Sequence, residues 1–159
     1  MKRDNIMRNI VLEKLTLNIG TGGPGDKLDK AMKLLAKVTG TKPVVRKTTK
    51  RIPTWGVRPG LEIGCIVTLR RKKAHETLKR LFAALDNSIP KAKFDRTGNL
   101  SFGIKEYLNI PAVEYDSSIG IIGLEAAVTL MRRGYRVKRR LLRSAKIPQR
   151  HRITKEDAS

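Results

Sequence analysis

The stretch Leu61-Glu-Ile-Gly-Cys-Ile-Val-Thr-Leu-Arg70 alternates without a break. Leu61, Ile63, Cys65, Val67 and Leu69 fall on one side, and Glu62, Gly64, Ile66, Thr68 and Arg70 on the other. A period of two is the mark of a strand with one face in a core and one face out. The period then changes. Ala74, Leu78, Leu81, Phe82 and Leu85 form a helical stripe, with Pro90 beyond its end. Upstream, residues 46–60 are a basic loop broken by Pro53, Gly56 and Pro59, and Val44 and Val45 open a second extended piece. Before that, residues 26–38 read as a helix striped by Leu28, Ala31, Met32, Leu35 and Val38, with Gly40 as its stop. Residues 10–19 read as a first strand, with Leu15, Leu17 and Ile19 alternating with Lys14, Thr16 and Asn18.

Downstream, residues 91–118 are turn-rich around a short strand at 100–104, and residues 119–130 read as a last strand with Leu124, Ala126, Val128 and Leu130 on one face. Strand, helix, strand, strand, helix and then strands predict an α+β fold: one mainly antiparallel sheet with helices packed on one face. Two helical stripes cover one side of such a sheet. The other face, carrying Asn18, Thr68 and Arg70, is left open for RNA. The expected organisation is an α+β RNA-binding domain over residues 1–131 and a basic C-terminal extension over 132–159.

Charge points the same way. The 159 residues hold 35 Lys and Arg against 14 Asp and Glu, a formal +21. Such an excess repels itself in a compact chain unless a polyanion neutralises it. A membrane is the weaker polyanion, because no run approaches the ~18 apolar residues of a spanning helix. The N-terminal segment is not a signal peptide, since Glu13 and Lys14 break its apolar run and no small-residue cleavage site follows. A single cysteine, Cys65, cannot form an internal disulfide, so a cytosolic compartment is expected.

Enzyme chemistry finds no footing. Gly20-Thr-Gly-Gly-Pro-Gly25 matches G-x-G-x-x-G between a strand and a helix, but the ribose-binding acid about 20 residues on is missing, and residues 42–58 contain no acid at all. The stretch reads as a turn, with Pro24 near the helix start. His75, His151 and Cys65 make neither a zinc pattern nor a catalytic pair. Cys65 points inward as a small core residue, and the carboxylates of Asp95, Glu106, Glu114 and Asp116 are scattered. No catalytic residue, metal ligand or cofactor is expected.

Two basic segments remain. The loop combines Lys47, Thr49, Lys50, Arg51 and Arg58 with the only tryptophan, Trp55. Cations and hydroxyls hold phosphates, and an aromatic ring either stacks on an unpaired base or packs back on its own domain. In the extension, Arg132, Arg133, Arg136, Lys138, Arg139, Arg140, Arg143, Lys146, Arg150 and Arg152 stand in a stretch without an acid. Alone it would repel itself, so a tail ordered on RNA is expected rather than a solvated one. Thr154-Lys-Glu-Asp157 reads as the cap and first turn of a helix, for which the sequence ending at Ser159 leaves no room.

In order along the chain, Glu13-Lys-Leu-Thr-Leu-Asn-Ile-Gly20, Gly40-Thr-Lys-Pro-Val44, Ile63-Gly-Cys-Ile-Val-Thr-Leu-Arg70, Phe94-Asp-Arg-Thr-Gly-Asn-Leu-Ser-Phe-Gly-Ile104 and Pro111 through Asp116 resemble the universal L5 family of large-subunit ribosomal proteins, in its archaeal or eukaryotic form. The resemblance covers nearly the whole chain. It implies a structural constituent of the ribosome in the central protuberance that binds 5S rRNA and anchors it to the large-subunit rRNA. Carried over by motif, the 5S contacts are Asn18, Thr41, Thr68 and Arg70. Bacterial members often carry Gln at the place of Thr41 and Phe at that of Trp55. The resemblance also implies a loop reaching the P-site tRNA, an intersubunit bridge to a small-subunit head protein, and other 5S-associated ribosomal proteins as neighbours. Archaeal relatives tend to continue past the cap at Thr154 into a helix. Two other readings compete: a free-standing RNA-binding chaperone or regulator, and an enzyme acting on RNA. A ribosomal component cosediments with large subunits, whereas a regulator works free in solution.

Overall fold

The computed structural model describes residues 5–158. Residues 1–4, which begin the expected RNA-binding domain, and residue 159, which ends the expected extension, lie outside the described residues.

Five strands form one antiparallel sheet: β1 (Ile10–Gly20), β2 (Val44–Lys47), β3 (Glu62–Leu69), β4 (Leu100–Ile104) and β5 (Leu124–Arg132), in the spatial order β2-β3-β1-β5-β4. Register places the inward sets opposite one another. Leu17 pairs with Val67 on one side and Ala126 on the other, and Phe102 follows opposite Ala126. Because the side chains of paired residues share a face, these positions build one continuous apolar layer. Two helices cover it, α1 (Asp26–Thr39) and α2 (Arg71–Ala83). Leu28, Leu34, Leu35 and Val38 of α1 and Leu81 of α2 are buried against it. Each such side chain contributes about 1.5–3 kcal/mol of burial, so an aliphatic core needs few aromatics. Gly40 ends α1 in the left-handed conformation, with φ 59°, and its N–H bonds the Ala36 carbonyl, as a C-terminal cap requires.

The last strand is shorter than the sequence predicts. Residues 119–123 are not part of it, and β5 begins at Leu124. The apolar run Ile119-Gly-Ile-Ile mimics a strand, but Gly120 turns the backbone at φ 74°, and a Cβ on Gly123 would lie 2.7 Å from the Lys105 carbonyl oxygen. Leu85 lies two residues past the end of α2, in a turn closed by positive φ at Asp86 and Asn87, and packs on the core from there.

The residues after β5 fold back on the domain. Ile147 and Ile153 are buried. The Tyr135 hydroxyl donates to the His151 carbonyl (3.2 Å) and accepts from the Ile153 N–H (3.0 Å). A final turn, α3 (Lys155–Ala158), is capped reciprocally: the Asp157 N–H donates to the Thr154 hydroxyl (3.3 Å), and the Thr154 N–H donates to the Asp157 carboxylate (3.0 Å).

Candidate nucleic-acid interface

The face of the sheet away from the helices is largely polar, with Ile66 and the exposed Val44 as apolar positions toward the β2 edge. Thr16 pairs with Thr68 across β1–β3, and Asn18 with Glu125 across β1–β5. Ser101 and Gly103 extend the same rows onto β4. Thr68, Ser101, Gly103, Glu125 and Ala127 are exposed, and Asn18 is half-buried. Small side chains on β4 and β5 keep this surface low. The sequence alternation therefore places Asn18 and Thr68 on the open face. Thr41 lies off the sheet, in the turn between α1 and β2, where its hydroxyl donates to the Thr39 carbonyl (3.3 Å).

Arg70 has a partner that sequence reasoning missed. β1 carries a bulge between Leu12 and Lys14, and the extra residue, Glu13, turns its carboxylate inward to 4% exposure. Arg70 reaches one oxygen at 3.7 Å and the Glu13 carbonyl at 3.5 Å, and Arg139, from the basic extension, bonds the other oxygen. One buried acid thus ties the end of β3 and the extension to β1, while both guanidiniums stay half-exposed. The parity of Leu15, Leu17 and Ile19 does place Glu13 inward. Its charge hides that signal.

The extension divides by role. Arg132 is buried, 3.0 Å from the Asp157 carboxylate and donating to the Arg152 carbonyl, while Arg152 donates to Ile147. These two arginines hold the segment in place, with Arg139 at its other end. Arg133, Arg136, Lys138, Arg140, Arg143, Lys146 and Arg150 face outward. The Asp157 carboxyl sits below its ordinary range. The Thr154 N–H and hydroxyl lower it first, burial opposes them slightly, and Arg132 lowers it further.

The basic loop is built as an extension of the sheet. The Thr48 N–H bonds the Leu61 carbonyl, and Ile52 and Val57 exchange two backbone hydrogen bonds (2.9 and 3.1 Å) around a 3-10 turn at Pro53–Trp55. Trp55 stands at the tip and is 77% exposed, so it does not pack back on the domain. Lys47 pairs with Glu62 at 3.3 Å, whereas Thr49, Lys50, Arg51 and Arg58 are open to solvent. Further exposed cations that the sequence reading passed over follow Arg70 directly: Arg71, Lys72 and Lys73. Lys14 on β1 joins the open face, and its place in the polar set of the first alternation was the available signal. Among the described residues no group of His, Cys, Asp and Glu is arranged to hold a metal ion, and no helix is long and apolar enough to cross a membrane. Burial pushes the Cys65 thiol up to about 11, the setting of an inert core cysteine.

A one-sided sheet, clothed by helices behind and ringed by cations in front, defines a class of basic α+β platform proteins. Comparison with known proteins narrows the class. Residues 5–58 match the family model described as Ribosomal protein L5, and residues 62–149 match the model for the C-terminus of the same ribosomal family. The chain is 48% identical to the large ribosomal subunit protein uL5 of Sulfolobus acidocaldarius over 99% of its length and 88% of that protein's. It is 51% identical to the uL5 of Nanoarchaeum equitans over 95% of its own length and 89% of that protein's, and 49% identical to that of Sulfurisphaera tokodaii over 97% and 88%. The chain belongs to the uL5 family of large-subunit ribosomal proteins, which are structural components and not enzymes.

Proposed function

We propose that this chain, a large-subunit ribosomal protein of cytoplasmic ribosomes by its family, holds 5S rRNA on the open sheet face and anchors it to the large-subunit rRNA through the outward cations of residues 132–159. The observation that carries the reading is the paired polar row of Thr16, Thr68 and Asn18 on an uncovered face, at whose end the half-exposed Arg70 guanidinium is steadied by Glu13. A face of this kind offers hydrogen bonds of fixed spacing, which suit a folded RNA better than bulk charge does. In the same reading the loop tip at Trp55 with Lys50 and Arg51 meets the P-site tRNA. The domain also touches a small-subunit head protein and the other proteins around 5S rRNA. Thr41, at the rim beside β2, completes the 5S contacts.

Binding of 5S rRNA and of a random RNA of equal length, measured across a salt series, tests the platform. Each phosphate neutralised steepens the fall of log K against log salt by about 0.7–0.9. The platform keeps its preference for 5S rRNA at physiological salt, and Thr68→Ala reduces that preference with the fold intact. Loss of the preference at that salt refutes the reading. Cosedimentation with large subunits separates it from the free-standing chaperone. Shortening residues 49–56 to a tight turn is expected to spare 5S binding and weaken P-site tRNA on purified ribosomes. The reverse pattern assigns Trp55 to 5S rRNA.

A further inference from the structure

The open face contains an acid that a purely electrostatic RNA surface has no use for. Glu125 is exposed near the start of β5, opposite Asn18 on β1 and Gly103 on β4. Glu62, the acid in the β3 alternation, is paired with Lys47. Glu125 contacts no cation among the described residues, and its partner is the Asn18 amide, which donates to it at 3.5 Å. Beside it lies a recess of about 320 Å³, lined by Thr16, Asn18, Ser101, Gly103, Glu125 and Ala127, with Lys93 at its edge. Gly103 and Ala127 carry little or no side chain, which leaves room for a planar group to lie against the strands.

Resting on the RNA platform proposed above, we infer that this recess reads one unpaired guanine of the bound RNA, with Glu125 as the specificity-determining residue. An ionised carboxylate only accepts hydrogen bonds. Against phosphates it is repulsive, so it helps a polyanion bind only where it meets base N–H groups. Guanine alone presents two donors side by side, N1–H and the N2 amino group, which match the two carboxylate oxygens. Cytosine and adenine place a ring acceptor beside their single amino group, and uracil flanks N3–H with carbonyls. The Asn18 amide, already turned toward Glu125, has a second N–H to offer guanine O6. Lys93 lies where the attached phosphate runs. Bases splayed out of a fold and read on their Watson–Crick edge are the usual targets of sequence-specific RNA recognition.

The test is Glu125→Gln, a change at an exposed position that removes the charge and half of the acceptor pair. Binding to 5S rRNA falls about tenfold, within the range of one bidentate base contact, while a random RNA of equal length binds as well as before or more tightly. Kethoxal, which modifies unpaired guanine at N1 and N2, reports the contact directly: the unaltered protein protects one such guanine of 5S rRNA, and the variant leaves it reactive. Tighter binding of both RNAs alike, or no protected guanine, overturns the inference. Thr68→Ala is measured alongside. If it weakens 5S binding while Glu125→Gln does not, the guanine pocket fails and the platform stands; if neither changes 5S binding, the platform itself fails.

Discussion

Removing Arg70 and Arg139 together leaves the Glu13 carboxylate, 4% exposed, without either of its guanidinium partners. Stripping the partners from a buried charge costs about 3–5 kcal/mol, a large part of the ~5–15 kcal/mol that holds a domain folded. Each single change leaves one partner behind. Because both guanidiniums are half-exposed and solvent screens them, each single loss is about 1 kcal/mol. The double variant is therefore less stable than the sum of its parts. Adding Glu13→Gln removes the orphaned charge and restores about 2 kcal/mol or more, since a neutral amide is cheaper to bury than a carboxylate. Urea unfolding followed by far-UV circular dichroism measures this cycle; the only tryptophan, exposed at the loop tip, is a poor reporter of the core. With a slope of about 1–3 kcal/mol per molar urea, the double variant's midpoint falls by about 1–5 M at unchanged slope. Additive single losses with no rescue by Glu13→Gln refute the account of Glu13 as a shared anchor. Arg70→Ala alone is therefore expected to cost stability as well as RNA binding, because Arg70 serves the fold as well as the face.

The thiol of Cys65, raised to about 11 by burial, resists alkylation at pH 8 in the folded protein and reacts at once in denaturant; rapid reaction under native conditions contradicts its place in the core. Its contribution as a neutral thiol is present below the unfolded thiol value near 8.5 and is lost as pH rises through the folded value. The Asp157 carboxyl is depressed in the folded state, so its stabilisation of the terminal turn is present above about 3.9, the unfolded value, and fades as pH falls through the folded one. The protection factors of the Ile153 and Thr154 amides, the exchange rates taken against the intrinsic rate at each pH, therefore fall in acid, and Asp157→Asn flattens that dependence; an unchanged profile removes Asp157 from the role. Gly64→Ala places a Cβ 2.5 Å from the Ile19 carbonyl oxygen in the β1–β3 ladder, which costs about 1–3 kcal/mol of overpacking and is seen as a lowered melting temperature.

Where the sequence repeats with a period, the fold could be read from it. Leu15 to Ile19 and Ile63 to Leu69 carry enough alternation to fix strand and face, and the stripe from Leu28 to Val38 with Gly40 marks α1 to within a residue. Asn18 and Thr68 follow from the same alternation. The losses come where local pattern and tertiary context disagree. Ile119, Ile121 and Ile122 have the composition of a strand, yet the backbone turns at Gly120 and the ladder begins only at Leu124. Glu13 is inward by parity and outward by chemistry, and only arginines distant in sequence reconcile the two. In the extension, Tyr135, Ile147 and Ile153 are spaced without a period among cations, so nothing local distinguishes the arginines that hold the segment from those that face solvent.

The strand order has a consequence for how the molecule is made. β1 lies between β3 and β5, so its hydrogen-bonding edges are completed by segments far along the chain, Leu17 meeting Val67 on one side and Ala126 on the other. Cut between β2 and β3, the chain yields two pieces, neither of which contains an intact central sheet: the first has β1 and β2, which are not neighbours, and the second has β3 and β5, which flank an empty place. Neither half is a folding unit, and each is the template for the other. Such long-range pairing closes large loops before it is rewarded, which slows folding. During synthesis the amino-terminal half must wait, its central strand open on one edge, until the last strand emerges to seal it.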